Sequence, residues 1–244
     1  MNAQPRLAYF DCASGATPEM FLGALVDAEL LEADLRDVVA PLGRAGAAFA
    51  LSIASAAKGP VAGIQVRIGE QLPNVDARLE DMLSLIASAQ LPADVARRAT
   101  AILRRTAEAE ARVAGRRVEE LVYGGTSGVD AVVGVVGVVG SLAVLGVAEV
   151  FASPVNVGRP DAAVSLLLAQ APTYEDSPGV PLVTSPAAGI LAELVSEWPA
   201  SPPFAGGSVG HGAGARDLPR PNVMRCFLGY GTIPAATQPA PSFE

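Results

Sequence analysis

Apolar residues recur along this chain with two spacings, and each spacing predicts a different element. Spacings of three and four between Val95 and Val113 predict an amphipathic helix with a charged outer face. Alternation at residues 49–53 and 64–68, on either side of Lys58-Gly59-Pro60, predicts a hairpin with one buried face. Further strands are predicted at residues 7–10, 149–152 and 223–228, and further helices at 32–42, 77–89, 161–169, 187–195 and from residue 18 onward.

Strands and helices are interspersed without a strict β-α-β period or an internal repeat. The predicted fold class is therefore α+β, a mixed sheet with packed helices, in a single large domain or in two small lobes. Residues 1–232 form the predicted domain, and residues 44–90 form the hairpin-containing lobe if there are two. The tail at residues 233–244 is rich in Pro and Ala and is expected to be disordered.

One apolar segment, residues 131–148, is long enough to raise the question of a membrane span. Gly134, Gly137 and Gly140 lower its hydrophobicity, charged residues bracket it, and no aromatic belt flanks it. These features favour a buried helix with a ridge of glycines, and no membrane association is expected.

The composition narrows the classes of partner. The chain has 244 residues, half of them apolar, and a formal net charge of -8. Nucleic acid is not an expected partner, because phosphate backbones require a clustered excess of Lys and Arg. No signal peptide is recognisable, and Cys12 and Cys226 lie far apart in the sequence, so reduced thiols in a cytoplasmic protein are expected.

The turn Asp11-Cys12-Ala13-Ser14-Gly15, between the first strand and the first helix, has two interpretations. Backbone N–H groups at such a position can gather a phosphate or a carboxylate. Alternatively, Asp11 and Ser14 cap the helix and Gly15 makes the turn. Cys12 also has two interpretations. It is a reactive thiol if the helix N-terminus lowers its pKa, or it is a packing residue at the end of a buried strand.

Candidates for metal binding are few. The chain has one histidine and lacks the Cys and His spacings of zinc sites. The remaining option is oxygen ligation of Mg²⁺ or Mn²⁺ by Asp11, Asp130 and Asp217, if those carboxylates converge. The glycine-rich run at 124–128 lacks the lysine and the spacing of a phosphate-binding loop.

The most distinctive segment is residues 210–225. Glycines at alternate positions, Gly210, Gly212 and Gly214, predict a loop whose backbone takes conformations closed to residues with a Cβ. An Arg-Asp pair, two prolines and an Asn follow and are expected to fix a turn before the last strand. The segment carries the single histidine, His211, which is either an acid–base residue or a polar loop residue.

Four blocks of sequence together resemble one family. They are the strand–turn–helix at 11–25, the Arg-Arg-x-Ala-Glu-Ala-Glu-Ala run at 104–111, the Gly-Val-Asp turn at 128–130 with Ser153-Pro154, and the segment 210–225. This combination resembles the LarC family of nickel-insertion proteins, from residue 7 to about residue 231. The resemblance implies insertion of Ni²⁺ into a pyridinium bis-thiocarboxylate mononucleotide, the nickel-pincer cofactor, at the expense of CTP with Mg²⁺ or Mn²⁺.

The departures from the family pattern concern histidines. The resemblance implies a histidine-rich loop where this chain has residues 69–74, and a His-Phe-His-Glu-Val-Gly motif where it has Val-Tyr-Gly-Gly-Thr-Ser at 122–127. A His-Gly segment near residues 158–160 is also missing. No nickel ligand is therefore assigned, and nickel affinity of the usual kind is expected to be lost.

The polar and backbone-donor residues that carry over from the family suit an anionic, flat small molecule. The expected catalytic residues are Asp11, Asp130 and His211, although His211 stands where the family usually has Tyr. The expected ligand-binding residues are Ser14, Gly15, Thr184, Ser185, Gly212, Gly214, Arg216 and Asp217. Ser185 is also the predicted N-cap of the helix that follows it, with Pro186 as its first residue.

The sequence leaves three functions open. The first is the N-terminal half of a nickel chelatase in nickel-pincer cofactor maturation, an activity of the lyase type. The second is a divergent metal-independent enzyme acting on a nucleotide or pyridinium-like molecule, and the third is a non-catalytic assembly subunit. Expected partners are an anionic nucleotide-like small molecule, a separate C-terminal-half chain that a CTP-driven reaction would need, and, in a homo-oligomer, further copies of this chain.

Overall fold

The computed structural model describes residues 4–69, 76–124, 127–176, 179–204 and 206–231, so the predicted tail at 233–244 lies outside the described residues. The strands are β1 (Arg6–Asp11), β2 (Ala50–Lys58), β3 (Val61–Gly69), β4 (Val147–Ala152), β5 (Val155–Asn156), β6 (Thr173–Tyr174), β7 (Val195–Glu197), β8 (Ser208–Ala213) and β9 (Val223–Tyr230). The helices are α1 (Pro18–Ala28), α2 (Glu32–Arg44), α3 (Leu79–Ser88), α4 (Ala93–Ala114), α5 (Ser127–Val144), α6 (Ala162–Leu167) and α7 (Ser185–Leu194).

One mixed seven-stranded sheet organises the fold, with its strands in the order β2-β3-β8-β9-β1-β4-β7. β1 runs parallel to β4 and antiparallel to β9, and β3 pairs with β8 in parallel. The predicted hairpin is the edge of this same sheet, while β5 and β6 form a separate parallel pair. The described residues therefore form a single α+β domain, which confirms the predicted fold class.

The helices pack on one face of the sheet. Ala8 and Phe10 of β1 contribute to the main core shared with the helices, whereas their neighbours Leu7 and Tyr9 belong to a separate apolar cluster. The division follows from the alternation of side chains along a strand. The smaller cluster on the second face consists of Leu7, Tyr9 and Phe151, packed against Phe204 and Phe227.

The glycine ridge of α5 lets this helix approach its neighbours closely. A Cβ added at Gly134 would lie 2.7 Å from Cβ of Pro18 in α1, and one added at Gly140 would lie 2.5 Å from a methyl carbon of Val38 in α2. The six valines between residues 132 and 139 of the same helix are buried in the main core. The prediction of a buried, glycine-ridged helix is therefore confirmed. Among the described residues, no helix has both the length and the hydropathy that a membrane crossing requires.

Two of the three alternate glycines of the 210–225 segment, Gly210 and Gly212, lie in a strand, so the prediction of a loop is wrong for residues 210–213. Gly210 and Gly212 are part of β8 and have no left-handed backbone. Their function is close packing, because a Cβ on Gly212 would lie 1.8 Å from the carbonyl oxygen of Met20, and one on Gly210 would lie 2.2 Å from that of Ala24. Helix α1 thus rests directly on the strand backbone, and the loop comprises residues 214–222.

Two helix starts differ from the predictions. Thr17, rather than Asp11 or Ser14, caps α1, and its Oγ1 accepts a hydrogen bond from the amide of Met20 at 3.3 Å. Thr184, rather than Ser185, is the N-cap residue of α7. In both cases a threonine directly precedes the first helical residue, which is the position a capping residue must occupy.

Besides β8, three short strands were not predicted. β5 and β6 have two residues each, too few to show any periodicity. β7 follows α7 without a break, so the apolar pattern of the helix runs into the strand at Val195. The remaining predicted helices and strands are confirmed within a few residues at their ends.

Candidate functional site

A cleft of about 540 Å³ opens where α1, α7, β3 and the 214–222 loop meet. Thr17 and Thr184 contribute the starts of the two helices, and Ile68 lies near the end of β3. Arg216 and Asn222 contribute the loop wall. A cleft of this volume is within the range that binds small molecules.

Two helix N-termini lie side by side at this cleft. The amide of Ala16 donates to the carbonyl of Leu182 at 3.0 Å, and the amide of Thr184 donates to the carbonyl of Ala16 at 3.2 Å. Each helix begins with a threonine N-cap and a proline within its first two residues, a pattern that ends an extended segment and starts a helix. The partial positive charges of both helix ends are therefore close to one cleft, where they favour an anionic group.

Hydrogen bonds hold the 214–222 loop as one wall of the cleft. The amide of Gly214 donates to the carbonyl of Asn222 at 2.8 Å, and Nδ2 of Asn222 donates to the carbonyl of Arg216 at 3.0 Å. Nε2 of Gln65 in β3 donates to the carbonyl of Gly214 at 3.1 Å. The loop is therefore closed on itself and attached to the sheet, so the position of Arg216 is defined by several contacts.

Both signs of charge are present on the cleft lining. Arg67 comes from β3 and Arg216 from the loop, whereas Glu19 lies in the first turn of α1 and Asp161 directly precedes α6. Nη1 of Arg216 donates to the carbonyl of Pro181 at 3.0 Å, so its guanidinium is fixed against the segment that leads into α7. The cleft can offer complementary charge to both an anion and a cation.

A smaller cleft of about 280 Å³ lies beside the first, and Leu182 and Leu218 line both. Oγ of Ser14 donates to a loop carbonyl at 2.9 Å, and Arg220 forms an ion pair with Asp176. These polar groups are bonded to one another, so the smaller cleft presents fewer free groups to a ligand than the larger one.

The structure brings part of the predicted site together. Ser14 lines the smaller cleft, and Gly15 lies in the turn beside it with φ +86°, where a Cβ would approach the carbonyl oxygen of Leu182 to 2.2 Å. Gly15 thus allows the turn to contact the segment before α7. The predicted residues that line the larger cleft are Thr184, Ser185, Gly214 and Arg216.

The three predicted catalytic residues lie apart from the larger cleft. Asp11 forms an ion pair with Arg225 on β9. His211 lies in β8, and its Nδ1 is 3.4 Å from a carboxylate oxygen of Asp27. The backbone amide of His211 donates to the same oxygen at 2.8 Å. Asp130 lies in the first turn of α5 and is not among the residues that line either cleft.

Besides Gly15, two of the predicted ligand-binding residues line neither cleft. Gly212 is covered by α1, as described above. Asp217 is exposed at the tip of the loop, and Lys58 at the hairpin donates to its carboxylate at 2.7 Å. Both residues support the loop and strand that carry Gly214 and Arg216 rather than lining the cleft themselves.

Three amides of the turn before α1 donate hydrogen bonds within the fold. The amide of Cys12 donates to Oγ of Ser153 at 2.9 Å, that of Ala13 to Asp11 at 3.0 Å, and that of Gly15 to the carbonyl of Cys12 at 3.0 Å. Burial raises the pKa of the Cys12 thiol far above neutrality. This turn therefore positions the two helix starts, and its cysteine packs as a neutral thiol.

Sequence reasoning missed several residues that line the larger cleft. Arg67 occupies an ordinary exposed position of an alternating strand, and Glu19 has the first-turn position in which acidic residues stabilise any helix. Asn222 belongs to the distinctive 210–225 segment and was interpreted only as a turn residue. Its hydrogen bonds to the loop backbone could have been predicted, because Asn side chains commonly bond to the backbone in turns. The positions of Arg67 and Asp161 at the cleft could not, because they depend on long-range packing.

Metal ligands do not gather in the described part of the chain. Within these residues, no group of three or more His, Cys, Asp or Glu side chains could hold a metal ion. Asp11 and Asp217 are each bonded to a basic residue in different parts of the fold. The oxygen site considered from the sequence is therefore not assembled among the described residues.

Comparison with known proteins gives the family. A family profile described as nickel insertion protein matches residues 8–242. The chain belongs to the nickel insertion protein family. A putative nickel insertion protein of Roseiflexus castenholzii is 36% identical over 239 residues, which cover 92% of this chain and 60% of the relative. A pyridinium-3,5-bisthiocarboxylic acid mononucleotide nickel insertion protein of Desulfitobacterium hafniense strain Y51 is 34% identical over 240 residues, or 92% of this chain and 58% of the relative.

This member of the nickel insertion protein family spans about three fifths of the length of the curated relatives it matches. No solved structure matches it. The family resemblance predicted from the sequence is confirmed. The run at 122–127, where the resemblance led us to expect histidines, is described only in part. Tyr123 of this run donates from its hydroxyl to Glu110 at 2.8 Å and does not line either cleft.

Proposed function

We propose that this chain holds the nickel-free pyridinium-3,5-bisthiocarboxylic acid mononucleotide during nickel insertion, as a step of nickel-pincer cofactor maturation. The observation that carries the proposal is the convergence of two helix N-termini, Arg67 and Arg216 on one cleft of about 540 Å³ in a member of this family. Helix N-termini and guanidinium groups are the donors that proteins use for phosphate. The relative from Desulfitobacterium hafniense bears this nucleotide in its name.

In this proposal the chain binds the organic molecule that accepts nickel, and its own side chains do not bind the metal. Histidine, cysteine and carboxylate donors do not cluster among the described residues. The thiocarboxylate groups of the nucleotide are soft donors of the kind that binds nickel, so the acceptor itself can supply ligands. A separate chain that carries the rest of the family's length is the proposed partner, and the cytoplasm is the proposed location, where two buried free thiols stay reduced.

A second candidate function keeps the cleft and omits nickel. The lack of clustered metal ligands in the described ranges favours a metal-independent enzyme that acts on a nucleotide or pyridinium-like molecule. Both candidates predict that a pyridinium mononucleotide binds in the same cleft. They differ in the product, because only nickel insertion adds the mass of a nickel ion to the nucleotide.

Calorimetric titration of the nickel-free nucleotide into the full chain tests the proposal. We expect binding that Arg216→Ala weakens about tenfold or more, because a hydrogen bond to a charged group contributes roughly 1.5–3 kcal/mol. Arg112→Ala is the matched control, since Arg112 is an exposed basic residue of α4 away from the cleft.

The product distinguishes the two candidates. Mass spectrometry of the nucleotide after incubation with Ni²⁺ and the partner half should detect the nickel adduct if the first function is correct. A changed nucleotide without nickel would favour the second function. Absence of binding at millimolar nucleotide would refute both.

A further inference from the structure

Strand β2 forms one edge of the seven-stranded sheet, and in the described part of the chain its neighbour in the sheet is β3 alone. The two strands pair over nine residues without a shift in register. Natural proteins protect the edges of sheets with charged residues, prolines, bulges or very short strands. The opposite edge strand, β7, has only three residues, whereas residues 50–57 of β2 contain no charge, no proline and no bulge. The edge at β2 therefore lacks the usual protection along most of its length.

Helix α2 covers one end of this edge. Nη1 of Arg36 donates to the carbonyl of Leu51 at 3.2 Å, so the backbone polar groups of Leu51 face away from β3. Alternate residues of an antiparallel strand point their N–H and C=O groups to the same side. The backbone groups of Ile53, Ser55 and Ala57 therefore also face outward. Within the described ranges, no loop, turn or second strand bonds to them, and we call residues 53–57 the open edge.

A second β2 strand fits the open edge in one antiparallel register. With the two-fold axis at Ser55, this residue lies opposite Ser55 of the partner subunit, and Ile53 lies opposite Ala57 of the partner subunit. Each such pair exchanges two hydrogen bonds, so all the outward backbone groups of the open edge find partners. A register centred nearer Leu51 would need the carbonyl that Arg36 already occupies. The contact of Arg36 thus leaves the register centred on Ser55.

The side chains of the open edge are compatible with a copy of themselves. A two-fold interface brings the same patch together from both subunits, so it must be complementary to itself. Ser55 and Ala57 are small and exposed, and the uncharged run at residues 50–57 brings no like charges face to face. We propose that two copies of this chain associate by antiparallel pairing of β2 across the open edge. This dimer does not depend on the proposed function.

Cysteine cross-linking locates the two-fold axis. Opposite residues of a hydrogen-bonded antiparallel pair have Cα atoms about 5.5 Å apart, a separation that a disulfide can bridge. Ser55→Cys should therefore give a disulfide-linked dimer on mild oxidation, and the native thiols at Cys12 and Cys226 do not compete because they are buried. Ser52→Cys is the matched control on the same strand, since it would lie about 20 Å from its copy in this register and should stay a single chain. Equal cross-linking of the two variants, or none with Ser55→Cys, would overturn the inference.

Charge exchange at Ser55 tests the association of the chain without cross-linking. One paired strand is a small interface, so light scattering of the wild-type chain should show a reversible increase in mass toward two chains between about 10 and 200 μM. Ser55→Lys and Ser55→Glu should each stay monomeric, because like charges would meet at the axis, and an equimolar mixture should regain the dimer. Ser88→Lys, which adds the same charge to an exposed serine of α3, should dimerise like the wild type. A single-chain mass for the wild type at every concentration, or a dimer that Ser55→Lys leaves intact, would refute the proposal.

Discussion

Substitution of Gly212 by alanine is the sharpest test of how the fold builds the cleft. The new Cβ would lie 1.8 Å from the carbonyl oxygen of Met20 and 2.7 Å from the amide nitrogen of Ala24. Both are backbone atoms of α1, so no side chain can rotate away. Ordinary contact requires a separation of roughly 3.5 Å, and α1 would have to move by more than roughly 1.5 Å.

Movement of α1 away from β8 is opposed by its packing against the other helices. Such a movement would disturb the packing of α1 against α5, where a Cβ added at Gly134 would lie only 2.7 Å from Cβ of Pro18. Overpacking of a core typically destabilises by about 1–3 kcal/mol, and a clash with backbone atoms, which cannot rotate away, belongs at the upper end. We therefore expect Gly212→Ala to lower the unfolding free energy by about 3 kcal/mol, or the melting temperature by about 6–12 °C.

Denaturant unfolding of the full chain measures this change. Gly69→Ala is the matched control, because a Cβ there would meet nothing within 4 Å, and its effect should stay within about 0.5 kcal/mol. Gly212 was also predicted from the sequence to bind ligand. A Gly212→Ala chain as stable as wild type that no longer binds nucleotide would refute the packing role and support a ligand contact instead.

Three further predictions follow from the described contacts. Cys12 and Cys226 are buried and their thiol pKa values are raised, so the native chain at about pH 8 should not react with a thiol reagent, whereas the unfolded chain should react at both positions. Hydrogen bonds from Ser208 and Arg6 lower the pKa of Glu29, so its contribution to stability is present above the unfolded-state pKa and is lost as the pH falls. Glu29→Gln should therefore flatten the decrease in unfolding free energy between about pH 5 and pH 3. An unchanged slope would contradict this role of Glu29. Asn222→Ala removes the bond to the Arg216 carbonyl and should lower stability by about 1 kcal/mol and weaken nucleotide binding in calorimetry, whereas unaltered affinity would show that the loop does not need this bond.

The fold was predictable where periodicity is long and local. The alternation in β2 and β3 and the three-and-four spacing of α4 each extend over enough residues to identify the element. The valines and glycines of α5 likewise predicted burial, since a helix apolar on all sides must be covered. What periodicity could not supply was the neighbour of each strand, because the pairing of Ile64 with Gly212 joins residues far apart in the chain.

The candidate site was harder to predict for the same reason. Thr184 and Arg216 were identified because they lie in segments that resemble the family. Arg67 could not be identified, since its place at the cleft depends on β3 lying beside β8. The glycines of β8 led to a wrong prediction of a loop. A glycine required for close helix packing and a glycine required for a left-handed turn look alike in a sequence.

The central claim is that a pyridinium mononucleotide binds in the larger cleft. Hydrogen–deuterium exchange of the full chain, with and without saturating nickel-free nucleotide, tests this claim most directly because it reports where the ligand lies. The account predicts slower exchange at the start of α7 and in the 214–222 loop, with no change around His211 in β8. Protection confined to β8, to β9 or to the segment around Asp176 would contradict it.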